Sequence, residues 1–303
     1  MIEVIGLVKR YGNREVLSNV SINVKKGEFV SLIGPNGAGK TTMIRSILTL
    51  IRPDKGEIRI LGKNPFKDKK VFKNLGYVQE LPNLPPFMTG RQVLELSAKI
   101  KGVKKDEIDE ILDVVGMTEF ANRQIAKYSK GMIQRIAIAE ALLGNPEILI
   151  LDEPNIGIDP IFTLKVRQIF DRLKREGSSI LMTSHELEDV KKLSDRVYMI
   201  YKGKIIFEGN VEDLVKKFLG IQVIIESDDD DKEKIVNFLS SLEYVKKVFK
   251  EGSRVIISMS EDKREELLEK LISSGFKIKG FYLDLNLEEA YSRAINSVGN
   301  NAL

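Results

Sequence analysis

Cysteine and tryptophan are absent from this chain of 303 residues, and histidine occurs once, as His185. The lack of cysteine excludes disulfides, thiolate metal sites and cysteine nucleophiles, and a single histidine cannot build a histidine-rich metal centre. Long apolar runs are also missing. The densest ones, Ile148 to Leu151 and Ala137 to Leu143, fall far short of the ~20 residues that cross a bilayer, so the sequence predicts no membrane span.

The composition is that of an ordinary folded protein, with 43% hydrophobic and 30% charged residues. Its length suits one large domain and one smaller domain. The excess of positive charge lies in the first 220 residues, whereas the remainder is net acidic. Because no cluster of Arg and Lys is interleaved with aromatic residues, nucleic-acid binding is not expected.

Short strands and helices alternate over the first part of the chain. Strand patterns at Glu3 to Val8 and Glu15 to Val24 lead through a third strand into a glycine-rich loop. A mainly helical stretch at residues 82–143 is followed by apolar strands, such as Glu147 to Asp152, that alternate with helices. This alternation predicts an α/β domain over residues 1–219, with a parallel sheet covered by helices.

A new cycle of elements begins near Gly220. The patterns between Ile221 and Leu283 read strand, helix, strand, strand, helix and strand, which is the split βαβ order of a ferredoxin-like module. Residues 220–303 are therefore predicted to form a small α+β domain. Asp228 to Asp231 lack the glycine and distal glutamate of a calcium loop, and are expected instead to favour the N-terminus of the following helix.

A phosphate-binding loop lies between the third strand and the first helix. Its pattern is Gly, four residues, Gly, Lys and Ser or Thr. Glycines allow backbone N–H groups to close around phosphates, the helix presents its positive end, the lysine adds a mobile charge and the threonine hydroxyl is expected to bind Mg²⁺. The residues are Gly34, Pro35, Asn36, Gly37, Ala38, Gly39, Lys40 and Thr41, with Thr42 following.

A carboxylate pair ends the apolar strand Ile148 to Leu151. Asp152 is expected to reach the metal directly or through water, and Glu153 to polarise an attacking water as the general base. His185 ends another apolar strand. Since parallel strands deliver their carboxyl ends to one edge of a sheet, His185 is predicted to contact the γ-phosphate rather than to be structural.

Residues 1 to about 215 resemble the ATP-binding cassette (ABC) family in the order and spacing of these motifs. The family's signature loop is similar to Tyr128-Ser129-Lys130-Gly131-Met132, followed by Gln134-Arg135 and an apolar helix. The resemblance implies a P-loop cassette with a mixed sheet, a helical subdomain and an antiparallel β subdomain. It also implies that Ser129 and Gly131 of one subunit cover the ATP held by the P-loop of another, in a head-to-tail dimer.

Other positions take their roles from the same resemblance. Tyr11 resembles the aromatic residue that stacks on adenine, and Gln79 the glutamine that senses Mg²⁺ and the membrane partner. Asp159 matches the aspartate of the loop that crosses the dimer interface. Tyr11 read alone is equally a half-buried aromatic at a strand end, and Gln79 a plain polar loop residue. The implied cofactors are ATP and Mg²⁺.

The chain departs from the family's commonest pattern at Lys130, Met132 and Asn155. These changes bear on the rate of hydrolysis and on dimer closure. The signature and the C-terminal extension look like those of exporter subunits for drugs, sodium ions or polysaccharides, which work at the cytoplasmic face of the membrane with separately encoded permease subunits. The alternative is a non-transport ATPase of the same family, associated with ribosomes or chromosomes.

Overall fold

The strands and helices follow the sequence patterns closely in the first part of the chain. The computed structural model describes residues 1–228, 231–252 and 254–300. Its elements up to Gly209, in chain order, are β1 (Ile2–Tyr11), β2 (Arg14–Val24), β3 (Phe29–Ile33), α1 (Lys40–Ile47), β4 (Lys55–Ile60), β5 (Leu75–Val78), α2 (Gly90–Lys101), α3 (Asp106–Val114), α4 (Lys130–Leu142), β6 (Ile148–Asp152), α5 (Pro160–Arg175), β7 (Ser179–Thr183), α6 (Leu187–Leu193), β8 (Arg196–Tyr201) and β9 (Lys204–Gly209).

Two sheets form the first unit, which spans Met1–Glu208. One is an antiparallel sheet in the order β2-β1-β4, and the other has six strands in the order β5-β6-β7-β3-β8-β9. Strands β5, β6, β7, β3 and β8 are mutually parallel. The central ones are buried along their whole length, which explains their unbroken apolar sequences.

The parallel pairing determines where the loops after β3, β6 and β7 leave the sheet. Asp152 at the end of β6 lies in register with Thr183 at the end of β7, and Thr183 in turn pairs with Leu32 of β3. The loops after β3, β6 and β7 therefore leave the sheet at one edge. A shared apolar core beneath them includes Met43 and Ile44 of α1, so the helix that follows the glycine-rich loop is anchored.

The helical stretch is built from three α-helices, of which α2 and α4 begin with side-chain caps. Thr89 and Gln92 form a capping box at the start of α2, and the Ser129 hydroxyl accepts a hydrogen bond from the N–H of Met132 at the start of α4. Gly102 in left-handed conformation ends α2.

The second unit, Gly209–Leu303, has the predicted strand and helix order. After α7 (Val211–Leu219) come β10 (Ile221–Ser227), α8 (Lys232–Ser240), β11 (Val245–Glu251), β12 (Arg254–Met259), α9 (Arg264–Ser273), β13 (Ile278–Leu283) and α10 (Leu287–Asn300). The sheet is antiparallel in the order β11-β12-β10-β13, and its core residues pack with those of α8 and α9. This is the ferredoxin-like arrangement.

The sequence patterns did not reveal α7, α10 or β9. The turn Lys202-Gly203, with φ of +45° and +76°, links β9 to β8. Helix α7 belongs to the second unit, which begins at Gly209, so the domain limits 1–219 and 220–303 stay a prediction. Of the four consecutive aspartates, Asp228 and Asp231 form ion pairs with Lys279 and Lys234, while residues 229 and 230 lie outside the described residues.

Candidate functional site

The loop between β3 and α1 encloses a small cavity of about 140 Å³. Gly37 and Gly39 have φ of +77° and +113°, which other residues adopt only with strain. A Cβ atom on Gly39 would lie 2.7 Å from a methyl carbon of Leu17 and 3.0 Å from the Val16 carbonyl oxygen. The loop therefore requires glycine there. The cavity is lined by Val16, Pro35, Asn36, Gly37, Gly39, Lys40, Thr41, Thr42, Glu80 and Glu153.

Lys40 is buried at the edge of this cavity. Its Nζ donates a 2.7 Å hydrogen bond to the Gly34 carbonyl oxygen and lies 3.8 Å from Glu153 Oε1. A buried ammonium is tolerated because these oxygens replace its hydration shell. Gly34 and Ala38 are themselves buried and support the loop rather than line the cavity. Lys40 is thus held at the cavity as a positive charge that an entering anion can bind in place of these oxygens.

Asp152 ends β6 immediately before Glu153, which lines the cavity, and is 1% exposed. Its Oδ1 accepts a 2.6 Å hydrogen bond from the Thr183 hydroxyl. Burial raises the pKa of Asp152, the bond from Thr183 opposes that shift, and the charge of Glu80 adds to it. Oxygen ligands of this kind, with the Thr41 hydroxyl at the cavity, are those that Mg²⁺ prefers. The residues present therefore fit a magnesium ion.

Glu153 follows with φ of +50°, a left-handed backbone conformation that costs free energy in a glutamate. The strained turn is held by its N–H, which donates to the carbonyl and the hydroxyl oxygen of Thr183 at 3.2 and 3.1 Å. The buried carboxylate accepts bonds at Oε2 from His185, 3.1 Å from the backbone N–H and 2.8 Å from Nδ1. An ionised carboxylate only accepts, so the tautomer of His185 that matches it is the one with the proton on Nδ1.

The structure distinguishes two neighbours that follow β5. Gln79, the predicted metal and sensor residue, is exposed and lines a different cavity of about 410 Å³ with residues of α2 and α4. Glu80 instead lines the cavity at the loop between β3 and α1, which we call the phosphate-loop cavity. Glu80 was not identified as a site residue from the sequence. Side chains alternate in direction along extended backbone, so a shift of one residue exchanges the two faces. Because β5 ends at Val78 and Glu80 lies in a bend beyond it, no alternation in the sequence identifies which of the two residues faces the cavity.

Ser129, Gly131 and Asp159 line a further cavity of about 460 Å³ that is separate from the phosphate loop of the same chain. Asp159 caps α5 by accepting a 2.9 Å bond from the N–H of Phe162, and accepts a 2.7 Å bond from Arg135 of α4. The Phe162 N–H, followed by Arg135, lowers the pKa of Asp159. A Cβ on Gly131 would approach a backbone oxygen at 2.9 Å, so this close contact needs glycine.

Tyr11 is the last residue of β1, with half of its surface exposed. Lys9 Nζ lies 5.5 Å from the ring centroid, and Val16 rather than Tyr11 lines the phosphate-loop cavity. Half of the Tyr11 surface is therefore accessible, and its role in stacking on adenine stays a prediction.

Comparison with known proteins agrees with this geometry. The family model described as "ABC transporter" matches residues 17–155. The bacitracin transport ATP-binding protein BcrA of Bacillus licheniformis is 38% identical over 300 residues, covering 91% of this chain and 98% of that protein. BcrA of Enterococcus faecalis is 32% identical, and the match covers 91% of this chain and 97% of that protein.

The chain belongs to the ATP-binding subunits of ABC transporters. Among solved structures, an ATP-binding subunit of an ABC transporter superposes with a TM-score of 0.69 at 30% identity, covering 73% of this chain and 94% of that one. A dimeric cassette in a post-hydrolysis state with ADP and phosphate gives 0.65 at 29% identity, covering 69% and 98%. The predicted family, the P-loop cassette fold and ATPase activity are confirmed.

This ABC subunit thus matches its BcrA relatives through the C-terminal unit as well as through the cassette. Within residues 1–228, 231–252 and 254–300, no helix has the length and apolar composition needed to span a membrane.

Proposed function

We propose that this subunit drives export by hydrolysing MgATP in sites shared between two chains. The observation that carries the proposal is the Glu153 carboxylate, held at the phosphate-loop cavity between Lys40 Nζ at 3.8 Å and His185 Nδ1 at 2.8 Å. A carboxylate fixed in this way can orient a water and accept its proton. Replacement of Glu153 by glutamine, followed by measurement of ATP turnover, is the direct test.

Within each site, residues of the phosphate loop bind and orient the triphosphate. Lys40 leaves Gly34 to neutralise phosphate oxygens, and the loop N–H groups and the start of α1 face the same anion. Thr41 and Asp152 would hold Mg²⁺, which supplies charge neutralisation to the phosphates when bound. His185 holds Glu153 through Nδ1, and its exposed ring can contact the γ-phosphate.

The second half of each site is proposed to come from a second copy of the chain. Ser129, Gly131 and Asp159 lie on their own cavity, and the N-terminus of α4 there favours an anion. A head-to-tail pair would place this cavity over the phosphate loop of the other chain. The dimeric cassette found among the structural neighbours supports such an arrangement.

A permease subunit is the proposed membrane partner, contacted at the cytoplasmic face of the membrane. Two cavities of about 410 and 700 Å³ share Met88 and Leu96, and Phe87 and Ile100 nearby are 75% and 70% exposed. We call Phe87, Met88, Leu96 and Ile100 the docking face. An exposed apolar surface of this kind suits an amphipathic segment of a partner, and the two BcrA relatives are named for transport.

Ile100→Asp is expected to abolish co-purification with the permease while ATP binding stays unchanged, because a charge cannot be buried in an apolar contact. The measurement is co-expression of the tagged chain with a candidate permease, that is, a separately encoded protein with several apolar spans of ~20 residues. Ile272→Asp is the matched control, since Ile272 is an exposed helical isoleucine of the second unit. Equal loss in both variants, or in neither, contradicts the docking face.

Glu80→Gln is expected to raise ATP affinity in the absence of Mg²⁺ by about three- to tenfold, because it removes one negative charge from the cavity that receives the triphosphate. The Mg²⁺ dependence of affinity should weaken accordingly. Titration with a fluorescent ATP analogue, in EDTA and in Mg²⁺, measures both. Gln79→Ala is the neighbouring control and should change neither quantity. If Gln79→Ala alters the Mg²⁺ dependence and Glu80→Gln does not, Gln79 is the residue that acts at the metal.

A further inference from the structure

The loop after Glu153 is tied to the helix after His185 by a buried carboxylate. Asp189, in the first turn of α6, is 1% exposed. Its Oδ2 accepts a hydrogen bond from the side-chain amide of Asn155, and its Oδ1 accepts from the Arg167 guanidinium of α5. A buried carboxylate is tolerated only when it is paired and hydrogen-bonded in this manner.

This cluster lies next to the pair that is proposed to activate water. Asn155 follows Glu153 by two residues, and Asp189 follows His185 by four. The two segments are therefore joined twice, once by Glu153 with His185 and once by Asn155 with Asp189. Because Glu153 sits in a strained left-handed turn, its carboxylate stays in place only while its surroundings hold it there.

Asn155 is suited to this role by its amide. The carboxylate of Asp189 needs donors, and two of them are the amide nitrogen of Asn155 and the guanidinium of Arg167. The Asn155 Oδ1 atom, however, is buried and accepts no hydrogen bond from the part of the chain that the structure describes. A bare buried oxygen lowers stability, and such departures from optimal packing are typical of functional loops.

We propose that Asn155, through Asp189 and Arg167, is a positioning residue that holds the Glu153–His185 pair in its reactive geometry. The inference rests on the proposed role of Glu153 as the base. Loss of the amide frees the loop after Pro154 and lets the carboxylate leave the position of the attacking water. The phosphate loop, which binds ATP through other residues, is not disturbed.

Asn155→Ala is expected to lower kcat for ATP hydrolysis by about tenfold while KM changes less than about twofold, because misplacement of a base slows the chemical step and not binding. Asn155→Thr, whose hydroxyl can still donate, should restore kcat to within about threefold of the parent chain. In Asn155→Ala/Asp189→Asn, kcat should fall no further than in Asp189→Asn alone, since both changes break one contact. Asn74→Ala is the matched control, because Asn74 also donates to a carboxylate, that of Glu147.

The proposal is overturned if Asn155→Ala keeps the parent kcat. It is also overturned if the fall in kcat in the double variant equals the combined falls of Asn155→Ala and Asp189→Asn. A rise in KM parallel to the fall in kcat, or a loss that the threonine does not restore, also overturns it. Circular dichroism verifies folding. If Asn155→Ala unfolds, Arg167→Lys replaces it, because lysine keeps the positive charge but lacks the planar guanidinium that binds the carboxylate. If Glu153→Gln hydrolyses ATP at the parent rate, the base itself is wrong; if only Asn155→Ala does so, the positioning role alone fails.

Discussion

Glu153→Gln is expected to lower ATP turnover by about 10²- to 10⁴-fold, the range that a positioned general base contributes. The amide keeps the size of the side chain and can accept at its oxygen from His185, so the turn after β6 should survive. It cannot take a proton from water. ATP binding, which depends on the phosphate loop, should remain, and the chain should accumulate as an ATP-bound dimer because the step that opens the dimer is blocked.

Two measurements check this result together. Phosphate release gives the turnover, and size-exclusion chromatography with and without ATP gives the oligomeric state. Glu147→Gln is the matched control because Glu147 is an exposed glutamate just before the start of the same strand, far from the cavity. Turnover at the parent rate in Glu153→Gln would remove Glu153 as the base. A monomer in the presence of ATP would remove the trapped dimer.

The residues that meet at the cavity could be predicted because their positions follow from local sequence. A glycine pattern between strand and helix determines the loop that holds Lys40, and apolar strands ending in Asp152, Glu153 and His185 must open at one edge when they pair in parallel. The ferredoxin-like order was equally readable, since each element has its own periodicity.

Other features depend on contacts that no local pattern encodes. Whether Gln79 or Glu80 faces the cavity is decided by where β5 ends, and a difference of one residue reverses the answer. Asn155 and Asp189 are separated by 34 residues, so their hydrogen bond appears only once β6 and α6 are assembled. Helix α10 is a different case, because its buried residues Leu287, Ala290 and Ala294 recur at helical spacing and this pattern was overlooked.

Mixing two inactive variants is expected to restore ATP hydrolysis, and this is the strongest test of a site shared between chains. Lys40→Ala removes the charge that binds the phosphates. Ser129→Arg places a bulky side chain where the nucleotide of the other chain would lie. Each variant alone forms dimers in which both sites carry a defect, so each should hydrolyse ATP at less than about a hundredth of the parent rate.

In a mixed head-to-tail dimer the two defects fall in the same site. The other site then combines an intact phosphate loop from the Ser129→Arg chain with an intact Ser129 from the Lys40→Ala chain. At equal concentrations half of the dimers are mixed, and each has one of two sites intact, so about a quarter of the parent activity should return if the sites act independently.

The controls separate a shared site from a folding effect. Ser129 caps α4, so its loss costs about 1 kcal/mol of stability whatever its contact with ATP. Thr89→Arg removes the equivalent cap from α2, outside both cavities, and should retain activity alone. If Lys40 and Ser129 acted on the same nucleotide within one chain, every site in the mixture would contain a defective residue and no activity would return. Recovery of activity on mixing therefore requires that the phosphate loop of one chain and the signature of another bind the same ATP.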